Sequence, residues 1–242
     1  MDEQKMMSEA IVITPVKDSP STTVKTIEAI CKSDANFDYY VFNDFSQPET
    51  KNLLEEYKAK FHFNLIHLEE ITNTPPPNYK LVLQKAQDIA IQQKKPLLII
   101  ESDVIVQKDT IRKLMELSTE LPRPALIGAI TTDHEGNYNF PYNYIKVKDT
   151  NINDTSHSLS FCCTLLTLPF LQAYDFRLLS HKKDWYDVTI SRQARRQGFH
   201  NYLAKNLEVL HLPHSSRPWK NLKYSNPMLY YIKKLLYKRD KI

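Results

Sequence analysis

The chain has 242 residues, 42% of them hydrophobic and 25% charged, a composition that fits one globular domain and excludes a disordered or fibrous protein. Only three glycines occur, Gly128, Gly136 and Gly198, so neither a glycine-rich dinucleotide fingerprint nor a phosphate-cradling P-loop can be built. The net charge is +4, but segment 217–242 holds eight basic residues against one acidic, which leaves the body acidic and argues against a uniformly basic nucleic-acid binder.

The first apolar run, 10–14 (AIVIT), reads as a buried strand. A helix over 23–32 places Val24, Ile27, Ile30 and Cys31 on one face, with Ser19 and Ser21 as candidate caps. Residues 39–42 form a second strand, and 48–60 a helix with Pro48 suited to its first turn. A third strand over 63–68 leads to the loop 73–78, which contains three prolines. A helix over 79–93, a strand over 96–100, a helix over 110–117 and a strand over 125–130 complete this half. Beyond it, 131–157 is polar and aromatic, reading as loops or short strands. Residues 161–167 are strand-like, 184–197 is a helix stopped by Gly198, and Val209-Leu210 precedes the stretch HLPHSS.

Strand and helix alternate, which predicts a parallel, helix-covered α/β sheet with its ligand at the carboxyl ends of the strands. The segments at those ends are Pro15-Val16-Lys17-Asp18, Asn43-Asp44-Phe45-Ser46 and Glu101-Ser102-Asp103. All three carry carboxylates, and three such loops in one sheet suggest a cation-dependent site. In an extended backbone Glu101 and Asp103 point to the same side, and magnesium or manganese often binds through one or two carboxylates plus phosphates. Taken alone, the pattern serves equally as an acidic turn in which Asp103 or Asp109 caps the next helix.

Asp187 opens the helix DVTISRQARRQG, where a cap is again the simple use. The helix dipole would lower its pKa, and burial by Trp185 and Tyr186 would oppose that. Arg192, Arg195 and Arg196 read as a solvated face or as phosphate ligands. His211 and His214, beside Ser215-Ser216, are a metal or phosphate contact or structural histidines. The three cysteines match no zinc spacing, which suits a reducing, cytosolic compartment; Cys162-Cys163 reads as buried packing. No apolar run reaches membrane-spanning length, and residues 1–10 lack a signal-peptide core.

The order AIVITPVKDSP, VFNDFSQPET, LIIESDV, YDVTISRQARRQG, VLHLPHSS resembles the family 2 glycosyltransferases with the GT-A fold, over residues 10–216. The resemblance implies one α/β domain over 8–216, with a mostly parallel central sheet covered by helices. It implies nucleotide contacts from Pro15, Val16, Asp18, Asp44, Ser46, Asp88 and Ser102, with Asp44 on the base or ribose. It implies a metal motif at Glu101 and Asp103, with His211 as a further contact, for Mg2+ or Mn2+. Asp187 matches the base that deprotonates an acceptor hydroxyl for inverting transfer. The donor would be a UDP- or dTDP-linked sugar and the acceptor a glycan or lipid-linked glycan, in cell-envelope or surface polysaccharide synthesis, with no nucleic acid involved. The family's Ala-x-Asn-x-Gly helix reads Ala86-Gln87-Asp88-Ile89-Ala90, its Glu-Asp pair reads Tyr186-Asp187, and a later Asp reads Thr189. These changes motivate a catalytically silent sugar-nucleotide or partner-binding module as an alternative. A nucleotidyltransferase is another, although it would need glycines beside Lys17.

In the tail 217–242, Pro227 could start a helix with Met228, Leu229, Ile232, Leu235 and Leu236 on one side and Lys234, Lys238 and Lys241 opposite. Such a basic amphipathic segment suits peripheral contact with the inner face of a membrane, or packing on the body or on a partner.

Overall fold

The strand predicted from residue 10 runs on to Val16, because its parallel neighbour Phe37–Asn43 keeps pairing with it through Val16 opposite Asn43 after the pairing on its other edge has ended at Ile13. A computed structural model of the chain describes residues 9–180, 185–213, 228–229 and 231–232. His214, Ser215, Ser216 and most of 217–242 lie outside the described residues; of the tail, Met228, Leu229, Tyr231 and Ile232 are helical and exposed.

Nine strands form one sheet: β1 (Ala10–Val16), β2 (Phe37–Asn43), β3 (Asn64–His67), β4 (Leu97–Ile100), β5 (Val104–Ile105), β6 (Pro124–Thr132), β7 (Ile152–Asp154), β8 (Cys163–Leu166) and β9 (His200–His211). The order is β3-β2-β1-β4-β8-β6-β9-β5, with β7 also on β9. The quartet β3-β2-β1-β4 is parallel, as expected, and so are β6 and β9. β8 enters antiparallel between β4 and β6. No helix separates β6 from β8, and a parallel pairing there would usually take a crossover helix.

Among the described residues, six helices cover the sheet: α1 (Pro20–Cys31), α2 (Pro48–Phe61), α3 (Tyr79–Gln93), α4 (Thr110–Glu120), α5 (Leu168–Ala173) and α6 (Tyr186–Arg196). Alternation along β1 sorts its side chains into two cores. Ala10, Val12 and Val16 pack with Ile27, Leu54 and Ile111 beneath α1, α2 and α4. Ile11 and Ile13 pack with Val82, Phe170 and Ile190 beneath α3, α5 and α6. Both faces of the strands are buried, so they read as continuous apolar runs.

Several elements depart from their predicted bounds. α1 starts at Pro20, and it buries Thr22, Thr23, Thr26, Ile27 and Ile30 where the sequence pointed to Val24. Ser19 stands at its cap with φ 59° and makes no side-chain cap bond; the Thr22 and Thr23 hydroxyls donate to the Ser19 carbonyl at 3.2 and 2.9 Å. β9 is twelve residues long although Lys205, Asn206 and Glu208 interrupt its apolar pattern. Lys205 pairs with Asp149 and Glu208 with Lys148, partners that lie in the preceding loop. Among the described residues, no helix is long and apolar enough to cross a membrane.

Gly128 is required by close approach in the middle of β6. A Cβ there would lie 3.2 Å from Thr164 Oγ1 and 3.3 Å from the Tyr142 hydroxyl. Thr164 Oγ1 donates to the Ser160 carbonyl and the Ser160 N–H donates to the Tyr142 hydroxyl, so neither can retreat freely. Gly128→Ala is expected to cost about 1–3 kcal/mol. A denaturant midpoint shifted down at constant m-value is the readout, and an unchanged midpoint would contradict the packing described.

Candidate active site

The ends of β1 and β2 interlock. The Asp44 N–H donates to the Val16 carbonyl at 2.8 Å, which prolongs the strand pairing by one residue. Asp18, at φ 58°, donates its N–H to Ser46 Oγ at 2.9 Å and accepts from the Gln47 N–H at 2.8 Å. Pro15, Val16, Asp18, Asp44 and Ser46 therefore form one rigid rim. Asp44 is buried, with Oδ2 accepting from the Asn78 N–H and Oδ1 from Asn78 Nδ2, both at 2.8 Å. Each carboxylate oxygen has two acceptor sites, so one per oxygen remains for an incoming hydroxyl or base N–H. Asn78 closes the proline-rich loop immediately before α3, and its role was not visible in the sequence. Asn78→Ala is expected to cost about 1–3 kcal/mol and to weaken nucleotide binding at this rim, read by thermal melting with and without nucleotide. A variant with parental stability would show that Asn78 does not hold Asp44.

Glu101-Ser102-Asp103 is a tight turn, closed by the Val104 N–H to the Glu101 carbonyl at 3.1 Å, where the sequence implied extended backbone. The two carboxylates consequently meet different partners. Glu101 Oε2 accepts from Cys162 Sγ at 3.5 Å, whereas Asp103, 1% exposed, has Oδ2 3.5 Å from His211 Nε2. Ser102 is half-buried between them. The β5–β9 pairing sets Val104 opposite His211, and the Leu212 N–H donates to the Asp103 carbonyl at 2.8 Å. Asp103 does not cap α4. Asp109 stands at that cap without a side-chain cap bond and pairs with Lys113 at 2.6 Å.

His211 Nδ1 lies 2.8 Å from the Phe140 carbonyl, which can only accept, so Nδ1 carries a proton and Nε2 is the nitrogen turned to Asp103. Burial pushes the His211 pKa down, but the Asp103 hydrogen bond and the charges of Asp103 and Glu101 outweigh it, and the net shift is upward. The ligand atoms of Glu101, Cys162 and His211 all lie within 4.8 Å of one another. Carboxylate oxygens and an oriented imidazole are a donor set that fits a divalent cation.

Asp187 lies in the first turn of α6, half-buried, with Oδ1 accepting from the Val188 N–H at 2.7 Å. Burial raises its pKa above the ordinary carboxylate value and exceeds the lowering by backbone hydrogen bonds. Of the two opposing effects seen in the sequence, desolvation prevails over the helix terminus. Tyr79 feels two of these groups. Its phenol is held well above its usual pKa, first by burial and then by the negative charges of Glu101 and Asp187. Its hydroxyl is buried with no hydrogen-bond partner among the described residues, and its ring lies 6.3 Å from that of Tyr186. Tyr142 likewise senses Cys162 and Asp187. Asp103 and His211 thus meet at the β5–β9 pairing, with Glu101 near His211, while the charges of Glu101 and Asp187 both act on Tyr79.

Asp88 pairs with Arg177. It lies nine residues beyond Tyr79, about 13 Å along α3, and accepts from Arg177 Nη2 at 2.7 Å. That ion pair ties α3 to the 3-10 turn at Phe176–Leu178. Arg192 and Arg196 are exposed and Arg195 donates to the His157 carbonyl at 3.3 Å, as a solvated face would be.

The sequence model of glycosyl transferase family 2 matches residues 11–174. No curated protein sequence matches the chain. Among solved structures, S. aureus TarS 1-349 superposes with TM-score 0.59 at 15% identity, covering 84% of this chain and 60% of that one. The mannosyltransferase PcManGT from Pyrobaculum calidifontis, in complex with GDP-Man and Mn2+, gives 0.64 at 12% identity, over 94% and 64%. GalNAc-T7 with UDP, GalNAc and Mn2+ gives 0.57 at 13%, over 87% and 45%. The chain spans less than two thirds of each of these proteins, and at such identities what they share with it is the fold.

Proposed function

The chain belongs to glycosyl transferase family 2, and on that premise we propose that it transfers a sugar from a nucleotide-sugar donor to an acceptor hydroxyl, with inversion and with Mg2+ or Mn2+. The observation that supports this reading is that Asp187, a carboxylate of raised pKa, and Glu101 both act on the buried Tyr79 phenol, while Asp103 pairs with His211.

Asp187 takes the proton of the acceptor hydroxyl as that oxygen attacks the anomeric carbon. The new glycosidic C–O bond forms on one face while the bond to the diphosphate oxygen breaks on the other, and the nucleoside diphosphate leaves. Asp103 and His211 Nε2 would hold the cation, with Glu101 beside them. The cation, when bound, neutralises charge developing on the leaving diphosphate. Asp44 receives base or ribose donors, while Val16, Asp18 and Ser46 fix the rim that seats the nucleoside. Tyr79 and Tyr142 exclude water from Asp187, which keeps it basic enough to act near neutral pH.

We extend the proposal to a UDP- or dTDP-linked donor and a glycan or lipid-linked acceptor in cell-envelope or surface polysaccharide synthesis. The basic tail would give contact with the cytoplasmic face of the membrane. A panel of nucleotide sugars with a broad acceptor set, assayed with Mn2+ and with chelator, tests the reading. Product that forms only with the cation is expected. Donor binding without turnover would instead identify a silent module. Formation of nucleotide sugar from a sugar phosphate and a nucleoside triphosphate would identify a nucleotidyltransferase.

A further inference from the structure

We propose that Glu101, Cys162 and His211 also form a site for a thiophilic divalent cation, Zn2+ or Cd2+, bound through the Cys162 thiolate. The inference rests on the reading of this cluster as the cation site of a glycosyltransferase and adds to it a sulfur ligand and a second class of ion.

The three side chains come from three separate strand ends, so no sequence spacing announces them. Ile100 is opposite Cys163 across β4 and β8, and the Glu101 N–H donates to the Cys162 carbonyl at 3.0 Å, which sets the two side chains together. The β5–β9 pairing delivers His211 to the same turn. Their ligand atoms fall within 4.8 Å of one another. Two ligands on a tetrahedral zinc lie about 3.4–3.6 Å apart, given Zn–S near 2.3 Å and Zn–N and Zn–O of about 2.0–2.2 Å. Binding would draw the three ligand atoms to that spacing by side-chain rotation. His211 is already oriented by the Phe140 carbonyl, as imidazole ligands are by their outer partners. Cys162 is buried, with Sγ near both Ser160 Oγ at 3.2 Å and Glu101 Oε2 at 3.5 Å.

Hard and soft ions divide this cluster between them. Mg2+ and Mn2+ prefer oxygen and leave the thiol protonated, donating to Glu101. A soft ion replaces that proton: the S–H bond breaks, a sulfur–metal bond forms, and one proton passes to solvent for each ion bound. Cys163, the next residue, lies outside the cluster, and Cys31 belongs to α1.

The full chain, stripped of metal, is titrated with Co2+ and with Cd2+ while thiolate-to-metal charge-transfer absorption is followed in the near ultraviolet. The expected result is a band that saturates at one ion per chain. Cys162→Ser should abolish it and weaken Cd2+ binding by about tenfold or more while Mn2+ still binds, and Cys163→Ala should retain it. If Cys162→Ser does not melt cooperatively, Cys162→Ala is measured in its place. A band that persists without Cys162, or Cd2+ bound without any band, overturns the proposal. Mn2+-dependent sugar transfer with no band in the parent protein overturns this inference and leaves the proposed function standing. A chain that binds neither Mn2+ nor Cd2+ overturns both.

Discussion

Replacing Asp187 by Asn is expected to lower kcat by about 10²–10⁴-fold, the usual contribution of a general base, while donor affinity stays at the parental value. The amide keeps the oxygen that accepts from the Val188 N–H, so the start of α6 survives the change and only the proton acceptor is lost. Stability should move in the opposite direction to activity. Burial raises the Asp187 pKa in the folded state, so folding favours its neutral form. That contribution is fully present below the unfolded pKa and is lost as pH rises through the raised folded value. At neutral pH the parent therefore holds an ionised carboxylate at a cost which Asn removes, and the melting temperature of Asp187→Asn should equal or exceed the parent's. The acid limb of the kcat profile should accordingly lie above the pH expected of an ordinary carboxylate. Slow turnover together with a clearly lowered melting temperature would mark Asp187 as a structural cap.

Asp103→Asn should reduce Mn2+-dependent nucleotide affinity by about 10–100-fold, the loss typical when the support of a metal site is damaged. It should leave metal-free nucleotide affinity and the fold close to the parent. Asp103 is buried beside His211, and breaking a buried ion pair is usually expensive because one charge is stranded. His211 has an escape. Burial already favours its neutral form, and that form keeps Nδ1–H on the Phe140 carbonyl. The stability cost is therefore about one hydrogen bond, roughly 1 kcal/mol. A loss of several kcal/mol with unchanged Mn2+ dependence would show that the pair is structural. Isothermal titration with UDP, with and without Mn2+, separates the two outcomes.

How far the sequence foretells this arrangement depends on whether the cause is local. α3 runs over Tyr79–Gln93 as read from the sequence, because prolines precede it and its apolar positions keep helical period throughout. The parallel quartet is legible since strands buried on both faces are plain apolar runs. β9 is not, because its polar residues are compensated by Asp149 and Lys148 from elsewhere in the chain. At the site, Asp103, His211 and Asp187 stand out as residue types at strand and helix ends. The meeting of Asp103 with His211 depends on the β5–β9 register, which no local pattern encodes. Cys162 reads as packing because the carboxylate it meets is 61 residues away. Asp88, which motif position assigns to the nucleotide, also accepts from Arg177, 89 residues distant, a partner no local pattern announces.

Crystals soaked with UDP and Mn2+ give the most direct view of whether the acidic groups serve one reaction centre. The expected density places Mn2+ in direct contact with Asp103 and His211 Nε2, with the diphosphate on the ion, the nucleoside on the rim at Asp18 and Asp44, and Asp187 facing the β-phosphate across an acceptor-sized gap. Nucleotide bound elsewhere, or Mn2+ that leaves both Asp103 and His211 untouched, would contradict the account.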